Sequence, residues 1–259
     1  MSWTLERTTG IVLSRRDHRA SDRWYSVFTR EQGKLEFLAR GGHKPLAKLT
    51  PHLEMAAVVE LLLVNGRAYH TVMGVERRES FPRVYDDLVK LVLAQNALYL
   101  VDIGTRAQEA DENIYDLLRS WLGFLNTEFT ISQERGGFLL AAFGLKLLSM
   151  VGYRPQLHKC LGCLCAIEES AFAWHALKGG VACSACVARD QETWFAARPL
   201  TNESLKLLRF ALQEPFASHT RPHLRAPDLA GFHEAVESLI ISHFPVIPAS
   251  SLREACAVC

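Results

Sequence analysis

The residues with the clearest chemical signature are four cysteines in two closely spaced pairs. Cys160 and Cys163 form one Cys-x2-Cys pair, and Cys183 and Cys186 form a second pair after nineteen intervening residues. Each pair can fold as a tight knuckle that offers two thiolates to one tetrahedral ion, and the loop between them can bring the knuckles face to face. A redox pair usually occurs singly. The spacing therefore predicts one structural Zn²⁺ per chain, bound by four thiolates.

Other residues close to these pairs leave the ligand set open. Cys165 lies two residues after Cys163, and His158 lies two residues before Cys160, so either could replace one of the four ligands. The terminal pair Cys256 and Cys259 has no matching second pair, and we expect its thiols to be free. A closed site of four thiolates has no open coordination position. We therefore expect it to shape the protein rather than to catalyse a reaction.

The composition is that of a globular protein without a membrane segment. Hydrophobic residues make up 49% of the 259 residues and charged residues 22%, which is enough for two domains with their own cores. No uncharged apolar run approaches the roughly 20 residues of a spanning helix, and the first residues carry no targeting pattern. Four of the seven cysteines have metal-binding spacing, which agrees with a reducing compartment. We predict a cytoplasmic protein.

Positive charge is concentrated in the first fifth of the chain. The net charge is only +1, yet residues 1–53 contain ten Lys and Arg against five acidic residues. A basic segment on a slightly acidic remainder indicates a module that binds a polyanion. The candidate phosphate contacts are seven basic side chains of this segment: Arg15, Arg16, Arg19, Arg23, Arg40, Lys44 and Lys48.

Some of these basic and aromatic residues have two interpretations. Residues 40–48 form a glycine-rich basic loop that could approach a ligand closely, or could be an ordinary solvated connection. Arg77 and Arg78 could extend the basic track or lie in a solvated hinge. Trp24, Tyr25 and Phe37 could stack on bases, but about half the aromatics of a small barrel point inward. We favour a core position for each of the three.

The residue patterns predict strands first and helices afterwards. Five β-rich runs separated by turn signals fill the first eighty residues, and five such strands fit a small closed barrel such as an OB-fold. They cover residues 8–15, 23–29, 34–40, 52–64 and 68–76.

Beyond residue 80 the apolar period rises to nearly four, which predicts helices. We expect one helix over 85–100 and others that begin after the caps Asp111, Ser132, either Thr201 or Asn202, and Asp228. Gly152 has the position of a glycine that ends a helix. The prediction is an α+β protein, with an N-terminal five-stranded OB-fold β-barrel (residues 1–80) and a helical domain (81–259) with an inserted four-cysteine zinc finger at 158–190.

The order of these features resembles the RecO family of bacterial DNA repair and recombination mediators. Residues 10–23, 27–33 and 39–41 are similar to the opening barrel of that family. Residues 147–160 with Cys163, followed by residues 179–183 with Cys186, are similar to its junction between a helix and a zinc finger. The resemblance spans nearly the whole chain.

The resemblance implies an OB-fold that binds single- and double-stranded DNA, beside a zinc finger with a structural role. It also implies that the protein acts with RecR, and usually RecF, to load RecA onto DNA coated by single-strand-binding protein. Family members anneal complementary strands and bind the acidic, apolar C-terminal tail of single-strand-binding protein. Such a protein would be associated with the nucleoid. Lys146, Arg154 and Arg209 are candidate cations for the tail, and the sequence does not choose among them.

Two other functional classes fit the sequence less well. A metal-dependent nuclease needs clustered carboxylates that hold Mg²⁺ beside a phosphate. The acidic residues here are scattered, and no phosphate-loop signature is present, so we predict that the protein is not an enzyme. The alternative function is a zinc-ribbon regulatory factor that binds nucleic acid, which sequence-selective binding would favour.

Overall fold

The structure, a computed structural model, describes residues 5–19, 21–41, 49–65, 70–128, 130–167 and 172–244. Contacts within the chain group Met1–Thr130 into one compact unit and Ile131–Cys259 into another. The first three helices are therefore grouped with the strands that precede them. The domain boundary at residue 80 marks the change from strands to helices, and it stays a prediction.

The first unit contains a closed five-stranded barrel. Its strands join in the order β1-β2-β3-β5-β4. All neighbouring pairs are antiparallel except β3 with β5, which is parallel. The predicted five-stranded barrel of the OB-fold class is thus confirmed. The strands are β1 (Leu5–His18), β2 (Asp22–Thr29), β3 (Gly33–Ala39), β4 (Val58–Asn65) and β5 (His70–Glu79).

The barrel interior is filled by the apolar side chains that alternate along its strands. Tyr25 and Phe37 are both buried, and their rings stack with centroids 5.7 Å apart. These two aromatics are therefore core residues and cannot serve as exposed platforms for bases. Trp24 is only partly buried, because its position on β2 is one residue out of phase with Tyr25.

The fourth strand begins later than its composition predicted. Residues 52–64 read as one β-rich run, but β4 starts only at Val58. Ala56 has a positive φ of 64°, a conformation that breaks an extended strand. Its N–H donates to the carbonyl of Val12, and the N–H of Val12 donates to the carbonyl of Ala57. Residues 56 and 57 therefore bond to Val12, in the middle of β1, before the regular pairing of β4 begins.

Three helices follow the barrel, and one carboxylate joins the second of them to three strands. Asp102, near the end of α2, accepts hydrogen bonds from Ser14 Oγ at 3.0 Å and from Ser26 Oγ at 2.8 Å. The ammonium group of Lys34 lies 3.7 Å from the same carboxylate. Asp102 thus ties α2 to β1, β2 and β3 at once. The helices are α1 (Pro82–Tyr85), α2 (Leu88–Gly104) and α3 (Glu112–Thr127).

The second unit is built on three helices with a small sheet between the first two in sequence. Helix α4 contacts both α6 and α7. None of the described helices, in either unit, has the length and apolar character needed to cross a bilayer. The elements of this unit are α4 (Gln133–Met150), β6 (Phe172–His175), β7 (Gly180–Cys183), α5 (Ser184–Arg189), β8 (Arg198–Pro199), α6 (Asn202–Gln213) and α7 (Ala226–His243).

The predicted helix caps are confirmed at all but one position. The side chains of Asp111, Ser132 and Thr201 each accept a hydrogen bond from a backbone N–H of the following turn. Gly152, with a φ of 99°, ends α4 as expected. The cap at Asp228 is wrong, because α7 begins two residues earlier with a proline in its first turn. Asp228 is instead buried and accepts from the hydroxyl of Thr201 at 3.3 Å.

A buried histidine lies among the phenylalanines of this helical core. The ring centroid of His219 is 5.7 Å from that of Phe138, and 5.3 Å and 5.7 Å from those of Phe210 and Phe216. Burial lowers the pKa of His219 to about 4, and the nearby charge of Lys146 acts in the same direction. The folded protein therefore holds a neutral imidazole at physiological pH.

Replacing His219 by leucine should reduce the loss of stability in mild acid. The folded-state pKa lies below the unfolded value of about 6.5, so only the unfolded chain gains this proton as the pH falls below 6.5. Between pH 7 and 5.5, the free energy of unfolding should fall by about 1 kcal/mol more in the parent protein than in the variant. Urea titrations at both pH values measure this difference. The exposed His223, changed to leucine, is the control, and equal pH dependence in all three proteins would contradict the assignment.

Candidate metal centre and nucleic-acid interface

The structure brings together the four cysteines of the two predicted pairs. The sulfur atoms of Cys160, Cys163, Cys183 and Cys186 all lie within 4.8 Å of one another. The Sγ of Cys183 is 3.7 Å from that of Cys160 and 3.8 Å from that of Cys163. A tetrahedral ion with metal–sulfur bonds of about 2.3 Å would hold its sulfurs about 3.8 Å apart. The cluster therefore has the dimensions of a four-thiolate metal site.

Two turns and a hairpin place these sulfurs. The N–H of Leu161 donates to the carbonyl of Val181, so the first knuckle is bonded directly to β7. Strand β7 pairs with β6 and ends at Cys183, and α5 then carries Cys186 in its first turn. A side chain at Gly162 would meet the sulfur of Cys186 at 2.9 Å. A glycine is therefore required between the first two cysteines.

Backbone amides point at one of the sulfurs. The N–H groups of Gly162 and Cys183 donate to Cys160 Sγ at 3.3 Å and 3.2 Å. Burial raises the pKa of the Cys160 thiol, but these amides, together with the amide and the thiol of Cys163, outweigh it and lower the pKa to about 6. For Cys186, burial and the neighbouring thiols act in the same direction and raise the pKa. A cation among the sulfurs would favour the thiolate form of all four.

The alternative ligands lie outside this cluster. Cys165 is exposed, and its backbone carbonyl, not its sulfur, bonds to the N–H of Cys160. His158 is also exposed and is not part of the cluster. Cys256 and Cys259 lie outside the described residues. The donor set present, four sulfurs within 4.8 Å of one another, fits a structural metal ion without either substitute.

The candidate DNA contacts on the β1–β2 hairpin are divided between its two faces. Arg15 pairs with Tyr25 across the strands, and Arg16 pairs with Trp24. Residues directly opposite each other share a face, and neighbours along a strand alternate. Arg15 therefore lies on the same face of the hairpin as Tyr25, although its own side chain is exposed, and Arg16 lies on the opposite face with Trp24. The guanidinium of Arg16 lies 5.8 Å from the centroid of the Trp24 ring.

Carboxylates neutralise some of these cations and not others. Arg16 lies 3.4 Å from Glu36, and Arg23 bonds to Asp17 at 2.9 Å, a contact that raises the pKa of Arg23. Three of the candidate arginines are exposed and have no carboxylate partner among the described residues: Arg15, Arg19 in the β1–β2 turn, and Arg40 after β3. Lys44 and Lys48 lie outside the described residues.

The other cations that the sequence singled out are mostly engaged in local contacts. Arg77 lies 3.3 Å from Glu54, and Arg78 bonds to Glu60 and Glu76, each at 2.7 Å. In the second unit, Lys146 donates to the carbonyl of Leu212 at 3.0 Å. Arg209 donates to the carbonyl of Leu157, ahead of the first knuckle, at 2.6 Å. Arg154 is exposed.

Two positions that support these sites were missed in the sequence. Trp194 lies against Gly162 beside the sulfur cluster, and Asp102 fixes the barrel strands that carry the arginines. Neither belongs to a motif, because each acts on residues far away in the chain. The predicted helix over 85–100 also ended before Asp102, whereas in the structure Asp102 lies in the last turn of α2.

Comparisons with known proteins agree along the chain. A family model described as "Recombination protein O N terminal" matches residues 1–81, and one described as "Recombination protein O C terminal" matches residues 85–245. A "DNA repair protein RecO" from Symbiobacterium thermophilum is 34% identical over 184 residues, 70% of this chain and 71% of that protein. Proteins of the same name from Roseiflexus sp. and Clostridium perfringens are each 30% identical, over 81% and 79% of this chain and 70% and 84% of their own lengths.

Metal analysis tests the role of the sulfur cluster. We expect one tightly bound metal ion per chain in the purified protein, measured by elemental analysis. Cys183→Ser should lose most of the ion, because it removes one of the four sulfurs that would hold it. Cys165→Ser, a matched change outside the cluster, should keep the full content. A metal-free parent protein, or equal loss in both variants, would contradict the four-cysteine site.

Proposed function

The chain belongs to the RecO family of DNA repair proteins, and from this premise we propose that it is a recombination mediator that binds and anneals DNA. In this proposal it acts with RecR, and indirectly with RecF, to load RecA onto single-stranded DNA coated by single-strand-binding protein. The observation that carries the proposal is the set of exposed arginines without carboxylate partners among the described residues of the barrel, Arg15, Arg19 and Arg40. An unneutralised guanidinium is free to bind a phosphate.

The proposed annealing mechanism needs no catalytic residue. Two complementary strands repel each other through their phosphates, and a protein that neutralises part of this charge lowers the barrier to their encounter. Guanidiniums that bind only phosphates leave the base edges free to pair. Arg16, Arg23, Lys44 and Lys48 complete the proposed phosphate contacts. Sequence selectivity is not expected, because phosphates carry no sequence information.

We propose zinc as the metal of the sulfur cluster. Four thiolates at the spacing of a tetrahedron suit zinc, which binds sulfur in this geometry without redox chemistry. A site closed by four protein ligands leaves no position for a substrate or a water. The proposed role of the ion is therefore to hold the two knuckles together, and the protein is proposed not to be an enzyme.

The remaining partners follow from the family. The proposed partners are RecR and the acidic C-terminal tail of single-strand-binding protein, with Lys146, Arg154 and Arg209 as the candidate cations for that tail. Arg154 is the one among them for which no bond to a backbone carbonyl is observed in the described residues. The proposed location is the cytoplasm, with the nucleoid.

Salt dependence of DNA binding tests the arginines without partners. Changing Arg15, Arg19 and Arg40 together to glutamine should weaken binding to single-stranded DNA and reduce the slope of log K against log salt by about 2, since each lost phosphate contact removes about 0.7. Fluorescence anisotropy over a salt series measures the slope. The matched control changes Arg7, Arg78 and Arg119 to glutamine, because each of them lies within 3.3 Å of a glutamate. This control should keep most of the salt slope of the parent protein. Equal slopes in the two triple variants would place the DNA elsewhere.

The annealing proposal has its own test. The protein should speed the pairing of two complementary oligonucleotides in the absence of ATP, followed by energy transfer between terminal dyes. The arginine triple variant should lose most of this acceleration, whereas the matched control variant should retain it. A parent protein that binds DNA without any acceleration would leave a DNA-binding protein that is not an annealing factor.

A further inference from the structure

The first unit contains a cleft of about 350 Å³. Arg15 is the one residue lining it that is also a predicted DNA contact. The cleft lies between the segment that precedes β4, Arg15 of β1 and the helices α1 and α2. The residues that line it are Arg15, Glu54, Met55, Ala56, Val84, Tyr85, Leu91, Ala94, Gln95 and Leu98.

The walls of the cleft are apolar and fixed. Ala56, Val84, Ala94 and Leu98 are all at most 4% exposed, so they form a floor that belongs to the core. Tyr85 is 48% exposed, and its hydroxyl donates to the carbonyl of Met55, which holds the ring in place at the rim. The cleft is therefore preformed, with an aromatic ring at its edge.

The polar groups of the cleft differ in how far they are already engaged. Glu54 lies 3.3 Å from Arg77, so its charge is partly compensated. The guanidinium of Arg15 and the carboxamide of Gln95 have no bonded partner among the described residues. One free cation and one group that both donates and accepts hydrogen bonds thus face the same apolar space.

We propose that this cleft takes one unstacked base of a DNA single strand, with Arg15 on an adjoining phosphate. The inference rests on the proposed DNA binding and identifies the part of the DNA that the barrel selects. The volume has room for one nucleoside, Gln95 can pair with a base edge, and Tyr85 offers a stacking surface. A base in a duplex reaches such a cleft only by leaving its stack and its partner, which carries an unstacking and unpairing penalty. The cleft therefore favours single strands.

An acidic peptide fits the same space less well. Its carboxylates would lie beside Glu54 at the rim, and only Arg15 among the lining residues carries positive charge. A base places no charge inside the cleft, and its amino groups can donate to a carboxylate. Charge complementarity therefore favours a base with a single phosphate at the mouth.

The test fills the cleft without touching the arginines. Leu91, half-buried at the cleft, is changed to tryptophan. The control is Leu88→Trp, the same change on the same helix at a residue that is 56% exposed and does not line the cleft. Binding of the full chain to a single-stranded oligonucleotide that carries one 2-aminopurine, and to the matching duplex, is followed by fluorescence. A labelled acidic peptide that ends in phenylalanine is the second probe.

We expect Leu91→Trp to bind the single strand about tenfold more weakly, which is the effect of losing one base contact. The variant should also lose the change in 2-aminopurine fluorescence that accompanies binding to the parent protein. Its duplex affinity and the behaviour of Leu88→Trp should match the parent protein. An unchanged ratio of single-strand to duplex affinity in Leu91→Trp would overturn the inference while DNA binding stands. Loss of peptide binding alone would overturn it in favour of a peptide site. If the parent protein binds neither the single strand nor the duplex, the proposed function is overturned as well.

Discussion

Mutual proximity of four thiol groups is the constraint on which residues 156–167 and 172–194 depend. Strands of four residues and a helix of six bury too little apolar surface to be stable alone. Four sulfurs within 4.8 Å can hold such elements together if a cation balances the charge of their thiolates. The contacts around the cluster are arranged accordingly. Gly162 admits the sulfur of Cys186, backbone amides point at Cys160, and Arg209 holds the segment that leads into the first knuckle.

A different constraint organises the barrel and its positive charge. Asp102 binds serines of β1 and β2 and lies close to Lys34 of β3, so the strands that carry the arginines are fixed to a helix. Many cations of the barrel are then neutralised by nearby carboxylates, as Arg78 is by Glu60 and Glu76. What distinguishes Arg15, Arg19 and Arg40 is not their type or their position in sequence. It is the lack of a carboxylate within ion-pair distance among the described residues, which leaves their charge available to a polyanion.

Much of the fold could be predicted because its signals are local. Strand alternation, helix period and the caps at Asp111, Ser132 and Thr201 depend on residues within one turn of each other, and they were read correctly. One of the two errors has a long-range cause and the other a local one. The run over 52–64 has β-forming residues throughout, but hydrogen bonds with Val12 and the positive φ of Ala56 delay β4 to Val58. Asp228 has the right chemistry for a cap, but Pro227 starts α7 before it.

By itself the sequence determined the pairs of cysteines, because the distance between two ligands of a knuckle depends only on a short piece of backbone. It also determined that positive charge is concentrated near the N-terminus. The tertiary structure decided which cysteines meet, since the hairpin of β6 and β7 brings Cys183 to Cys160 and leaves Cys165 outside. The tertiary structure also decided which arginines remain without a carboxylate partner among the described residues. It further decided that Arg15 lines an apolar cleft together with residues of α1 and α2. Ion pairs and clefts join residues that are distant in the chain, and a local pattern carries no information about such distances.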